Sequence, residues 1–256
     1  MGSLTEIAPG VLVATSSFAT TTSTVVTGPG GCLLIDPGVT VAELAALAAS
    51  LAERGLRPAV AWSTHPHWDH VLWSAELGDA PRYAAPAAVT ITQTERDGLV
   101  DGAEKSAPGH DLSLLGRLTA LDAAVIPWDG PVAQVIVHDG HAPGHGAVFL
   151  PETGVLIAGD MCSDVEIPLL DTVEADPLGD YRTGLERLAS VPGVRQVVPG
   201  HGHVGDAGEF RRRLALDLAY TDALATGAPF ADPRVTEGSA QWLRDTHDEQ
   251  VRYYRR

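Results

Sequence analysis

Apolar residues recur along this chain in two rhythms, and the switches between them predict most of its elements. The stretches "GVLVATS" (residues 10–16), "STVVTG" (23–28) and "CLLIDPG" (32–38) are β-branched and aliphatic and end at Gly or Pro, which predicts strands joined by tight turns. "TVAELAALAASLAERG" (40–55) then carries apolar residues at helical spacing, with a Gly just past its end. "PAVAWSTH" (58–65) is a further buried strand, residues 69–77 read as a short helix, and "PRYAAP" (81–86) as a strand. Residues 87–120 have mixed polarity and read as largely helical. The strands "AAVIPW" (123–128), "AQVIVHD" (133–139), "GAVFLP" (146–151) and "VLIAGD" (155–160) follow. The helix "DPLGDYRTGLERLASV" (176–191) precedes the strand "RQVVPGH" (195–201), and a helical tail covers about 206–256. Two packed sheets with helices outside, in one domain spanning 1–256, suit this order.

Composition changes the picture in one respect. The 256 residues are 45% hydrophobic, enough for a sizeable core, but 33 Asp and Glu outnumber 17 Lys and Arg, giving a formal net charge of −16. A phosphate backbone is bound through Lys and Arg, so a nucleic-acid partner is not expected. The closing "RYYRR" fits cations at a helix C-terminus better than a binding patch. No apolar run approaches the roughly 20 residues that span a bilayer, the start lacks the pattern of a signal peptide, and Cys32 and Cys162 make no disulfide framework. The expectation is a cytoplasmic protein, monomer or homodimer, with a small-molecule substrate.

The chemistry concentrates in "THPHWDH" (64–70). Four potential ligands lie within six positions, too crowded for good tetrahedral angles around a single ion. Two ions resolve the crowding: His65 and His67 serve one, and Asp69 and His70 serve the other. Each then needs ligands from elsewhere, and three strand ends offer them: His138, His141 and His145 after "VIV", Asp160 after "VLIAG", and His201 and His203 after "QVVPG". Asp160 can bridge two dications about 3.5–4 Å apart. His110, His203 and His247 read as ordinary surface or core histidines.

"HPHWDH" resembles the H-x-H-x-D-H signature of the metallo-β-lactamase superfamily, and the later His, Asp and His at strand ends complete the likeness from about Gly10 to His203. The resemblance implies an α/β, four-layer αββα sandwich with metals at one edge. It implies that His65, His67 and His141 hold one ion, that Asp69, His70 and His201 hold the other, and that Asp160 bridges them. His145 then supports the site from behind. Asp36, in "CLLIDPG", is either an acceptor orienting a ligand histidine or an ordinary Asp-Pro-Gly turn. Trp68 and Trp73 are candidate walls of a substrate pocket, with core packing as the other use. Residues 88–121 are the expected lid or pocket wall.

Two zinc ions are the expected cofactor, with iron or manganese also suited to these ligands. They would bring the pKa of a shared water from 15.7 toward about 7, with Asp69 and Asp160 as the catalytic carboxylates. The bridging Asp160 makes the chain similar to the glyoxalase II, lactonase and phosphodiesterase branches. A hydrolase of a small ester, thioester, lactone or amide is the leading expectation. The alternatives are a phosphodiesterase on the same site and a mononuclear iron oxygenase like the persulfide dioxygenases.

Overall fold

Strand residues that alternate between two apolar environments explain the architecture. The computed structural model describes residues 2–171 and 173–255. In the first sheet, β1 (Thr5–Ala8), β2 (Val11–Thr15), β3 (Thr22–Gly28) and β4 (Gly31–Ile35) form an antiparallel meander. Helix α1 (Val41–Glu53) crosses over to β5 (Pro58–Trp62), and β6 (Arg82–Ala84) extends the parallel half. Helices α2 (Pro86–Thr94) and α3 (Arg96–Ser106) follow, and β7 (Thr119–Ala120) closes the sheet. The second sheet begins with β8 (Gln134–His138), β9 (His145–Leu150) and β10 (Val155–Gly159), all antiparallel. After α4 (Pro177–Ala189), β11 (Gln196–Pro199) pairs parallel to β10 and β12 (Gly205–Asp206) lies outside it. Helices α5 (Ala207–Thr226) and α6 (Gln241–Tyr254) complete the described chain.

The pleat sends alternate residues to opposite faces, and here both faces are covered. In β4, Leu33 and Ile35 enter the core between the sheets, where they meet Val148, Leu150, Val155 and Ile157. Cys32 and Leu34 point the other way, against Leu44, Leu47 and Leu51 of α1. In β9 and β10, Phe149, Leu156 and Ala158 face Tyr181, Leu185 and Leu188 of α4 instead. Strands buried on both faces read as continuous apolar runs, which is why "CLLI", "AVFL" and "VLIA" stand out in the sequence. Each such side chain contributes about 1.5–3 kcal/mol of burial. The result is helix, sheet, sheet, helix: the expected αββα order.

Several local expectations are corrected. Residues 69–77 are not one helix but two 3₁₀ turns, Trp68–His70 and Ala75–Leu77; Asp69 and His70 turn into the protein, and Ser74 starts a new turn by capping Glu76. "AAVIPW" is not a strand: Val125 makes one isolated bridge to Gln134, and Pro127 has no N–H to continue a ladder. Residues 87–120 hold α2 and α3 and then irregular chain with only the two residues of β7 paired. Strands β1 and β12 are too short and polar to have stood out. The tail expected over 206–256 contains α5 and α6, and Arg256 lies outside the described residues. Among the described residues, no helix is long and apolar enough to cross a membrane.

Candidate metal centre

The parallel strands deliver their C-terminal ends to one edge, and the edge is stitched across the two sheets. The Thr22 N–H donates to Gly200 O at 2.7 Å, and Thr22 Oγ1 donates to Pro199 O at 2.6 Å. Loops after β5, β8, β10 and β11 therefore meet on a rigid base. They bring together all seven expected ligands. His65, His67, His141 and Asp160 form one group, and Asp69, His70 and His201 a second, each with its potential donor atoms within 4.8 Å of one another.

Within the first group, the Nε2 atoms of His65 and His141 lie 3.1 and 3.0 Å from His67 Nδ1. In the second, His70 Nε2 is 3.3 Å from His201 Nε2. Asp160 stands between them: Oδ2 is 3.4 Å from His65, His141 and His201, and Oδ1 is 3.3 Å from His70. Asp69 Oδ2 lies 3.3 Å from His201 and 3.6 Å from His70. Ring nitrogens facing one another around a buried carboxylate, with Asp160 Oδ1 accepting no hydrogen bond, are a donor set that fits cations.

The outward-facing ring nitrogens of His65, His70, His141 and His201 are each held by an oxygen, which fixes the tautomer. Asp36 Oδ1 and Oδ2 accept from the Thr64 N–H (2.8 Å) and Oγ1–H (2.7 Å), and Oδ2 also accepts from His70 Nδ1 at 3.0 Å. Because Thr64 gives its hydroxyl proton to Asp36, its oxygen is left to accept from His65 Nδ1 at 3.0 Å. One carboxylate thus orients two histidines, so Asp36 is more than a turn residue. His141 Nδ1 donates to Leu169 O at 3.0 Å, and His201 Nδ1 to Ala19 O at 2.9 Å.

Ala19 sits in a latched loop. Glu43, which closes the capping box of α1 with Thr40, also accepts from Ser16 Oγ at 2.7 Å and the Ser17 N–H at 3.1 Å. Burial would raise its pKa, but these donors and the Thr40 N–H hold it at about 2.

Backbone strain points to the same place. The described non-glycine residues with positive φ are Ala19 (49°), Thr20 (53°), Asp36 (49°), His141 (152°) and Cys162 (57°). The first two aim a carbonyl at His201, the third holds His70, the fourth is itself in the first group, and the last lies two residues beyond Asp160. Each such conformation costs on the order of 1 kcal/mol or more and persists because the surroundings impose it.

Burial pushes His141 down to about 3 and lowers His65 and His67 too. These three rings are neutral at pH 7, as ligands must be. Burial would also lower His70, but Asp160, Asp69 and Asp36 raise it to about 9. His201 is raised well above its ordinary value for the same reason, chiefly by Asp160.

The remaining expected residues separate cleanly. His145 is beside the centre, with Nε2 accepting the Asp160 N–H at 3.2 Å and its ring stacked on His138 at 4.5 Å. Trp68 packs edge-on against Phe18 and lines the cleft. Trp73 does not line it: it is buried in the outer core, with Nε1 donating to Gly78 O at 2.9 Å and Arg82 over its ring. Its place after the ligand turn suggested a wall, but the chain has already turned inward there. His203 pairs with Asp164 at the surface, His110 Nε2–H donates to Val39 O at 2.8 Å, and His247 bonds the Tyr220 hydroxyl. Thr64 and Glu166 were not singled out from sequence. A charged residue inside the apolar run "VEIPLL" was the available signal for Glu166.

Gly200 shows how tight the centre is. A Cβ built there would overlap Asp160 Oδ1. Replacing Gly200 with Ala is expected to displace that carboxylate and weaken metal affinity about 10–100-fold, as loss of a supporting group does. A competitive chelator titration reads the change; unaltered affinity would show that Asp160 is not held where the geometry places it.

Comparison with known proteins agrees with this architecture. Residues 18–201 match the family described as the metallo-beta-lactamase superfamily. The chain belongs to that superfamily, one of metallo-hydrolases, and its His and Asp groups are candidate sites for divalent metal. It is 37% identical over 103 residues to a hydroxyacylglutathione hydrolase of Rhodobacter capsulatus, a match covering 38% of this chain and 39% of that protein. It is 25% identical over 183 residues to the probable metallo-hydrolase YqgX of Bacillus subtilis, covering 67% and 80%. Among solved structures, TTHA1623 in a di-iron-bound form superposes with a TM-score of 0.61 at 29% identity, covering 78% of this chain and 97% of that one. A beta-lactamase domain protein from Burkholderia ambifaria, at 20% identity, shares the fold with a TM-score of 0.68 over 87% and 77%.

Proposed function

We propose that the chain is a dinuclear metal-dependent hydrolase of a small ester, thioester, lactone or amide. The observation that carries this reading is Asp160, one buried carboxylate within 3.4 Å of imidazoles from both groups. His65, His67 and His141 would hold one ion, Asp69, His70 and His201 the other, and Asp160 both. Two dications so placed make a hydroxide equivalent available near neutral pH and polarise a carbonyl. Zinc suits imidazole and carboxylate ligands, and iron and manganese suit them too.

The chain's own residues supply the rest. Asp69 stays ionised: burial opposes this, but His70 and His201 hold its pKa well down. Facing the second group, it can accept a hydrogen bond from, and so orient, an attacking water. Asp36, Thr64, Leu169 O and Ala19 O hold the imidazoles in place. Cys162 is no nucleophile, because burial first and Asp217 second push its thiol well above the ordinary range. TTHA1623, solved with two irons, supports a two-metal reading, and relatives named hydroxyacylglutathione hydrolases support acyl-group hydrolysis. A small-molecule substrate and a cytoplasmic location belong to this proposal.

Elemental analysis of untagged protein, joined to a panel of thioesters, lactones and an aryl phosphodiester, tests it. Two zinc ions per chain with cleavage of a carbonyl substrate is the expected result. One iron per chain without hydrolysis would move the site to oxygen chemistry, and phosphodiester cleavage alone would move it to phosphoryl transfer.

A further inference from the structure

The cleft before the centre has a charge that the metal chemistry does not require. Trp68, Ile91, Leu169, Leu170 and Trp242 give it apolar walls, within a volume of about 660 Å³. Four carboxylates beyond Asp69 and Asp160 also line it: Glu95, Glu166, Asp171 and Glu174. No Lys or Arg lines it among the described residues. These acids come from two segments, Glu95 from the junction of α2 and α3 and the other three from the connection of β10 to α4, beyond Asp160.

Glu166 is the most informative of them. It is only 8% exposed, yet its carboxylate accepts no hydrogen bond from the described residues. The nearest cationic group is His201 Nδ1 at 3.8 Å, which already donates to Ala19 O at 2.9 Å. A buried carboxylate is kept at a cost unless something pairs with it, and the open side of this one is the cleft. The charge of Asp171 also reaches inward, where it acts on His67. Even with two dications bound, their four charges are outnumbered by the five carboxylates Asp69, Asp160, Glu95, Asp171 and Glu174. Glu166, whose pKa burial pushes up to about 7, adds a part-charge at neutral pH that a cation in the cleft would complete.

We propose that the cleft selects acyl compounds whose leaving arm combines an apolar portion with a positive charge, such as an ester or thioester of an aminoalkyl alcohol or thiol, and disfavours arms bearing carboxylates. The carbonyl sits at the centre, the apolar portion lies between Trp68 and Trp242, and the cationic end meets the acidic residues. Aromatic faces attract a cation as well as an apolar group. This rests on the hydrolase reading, and Glu166 is its specificity-determining residue.

Three thioacetates of similar size test it with the metal-loaded protein: acetylthiocholine, its neutral carbon isostere S-(3,3-dimethylbutyl) thioacetate, and S-acetyl-3-mercaptopropanoate. Each unit of charge is expected to change kcat/KM by about tenfold in that order, falling toward equality as salt screens it. Glu166→Gln is expected to remove much of the preference for acetylthiocholine over the isostere, and E95Q/D171N/E174Q together to flatten the order. Binding is read separately by tryptophan fluorescence with butyltrimethylammonium, 1-hexanol and hexanoate. Equal affinities, tightest binding of hexanoate, or no binding of the cation would overturn the proposal. If none of the thioacetates is cleaved but the ligands bind in the expected order, the hydrolase reading fails and the charge selection stands.

Discussion

Replacing Asp160 with Ala is expected to lower kcat/KM by about 10³-fold or more and to reduce bound metal below two ions per chain. A group that only supports a ligand costs about 10–100-fold when removed, and Asp160 is placed to act as a ligand for both groups. Its side chain is 5% exposed, and its oxygens lie within 3.4 Å of His65, His70, His141 and His201. Burial would raise its pKa, but His70, His201 and His65 hold it well down. It is therefore a permanent negative charge at the point where two cations would need one. Asp160→Asn keeps the shape and removes that charge, so it should resemble the Ala variant in metal content. Thermal unfolding of the metal-free variants separates a lost centre from a lost fold. Full activity with two ions bound to either variant would sink the two-metal reading.

How much of this could be read in the sequence differs between the fold and the site. Strands such as β4, β9 and β10 were legible because both of their faces are buried, so every residue is apolar and the run is unmistakable. The candidate ligands were legible because "HPHWDH" is dense and its companions follow apolar strand ends. Periodicity could not choose between His138, His141 and His145, since all three follow the same strand. In three dimensions the difference is the backbone: His141 at φ 152° swings its ring into the first group, while His145 begins β9 and faces the rear of Asp160. Positive φ at a non-glycine leaves no mark in composition. Neither do the carbonyls of Ala19 and Leu169, because a main-chain acceptor carries no sequence signature. Glu43 illustrates the limit from the other side. Its place three residues after Thr40 announces a capping box, but nothing in the sequence says that its other oxygen holds the loop 27 residues upstream that aims Ala19 at His201.

Metal affinity at the second group is expected to rise by as much as about 100-fold per pH unit between pH 6 and pH 8, while affinity at the first group changes little. The sign follows from which imidazoles hold protons before metal arrives. His65, His67 and His141 are kept neutral at pH 7 by burial, so binding there displaces little proton in the neutral range. His70, raised to about 9, and His201, raised well above its ordinary value, are protonated at pH 7. Their Nδ1 protons are committed to Asp36 and Ala19 O, so the proton that must leave is the one on each inward-facing Nε2. Two protons lost per ion give a hundredfold change per pH unit, and the slope should flatten as pH passes about 9. Calorimetric titration in buffers of different ionisation enthalpy counts the protons directly; release of none would show that the second group is not protonated as the carboxylates require. The same linkage predicts how the metal-free fold responds. A histidine whose pKa rises on folding stabilises the fold fully below its unfolded value of about 6.5, and that contribution is lost as pH climbs through the folded value. For His70, the rise to about 9 is worth on the order of 3 kcal/mol. The metal-free protein should therefore lose Tm between pH 6.5 and 9, and saturating metal should restore it by replacing those protons with a charge that does not titrate.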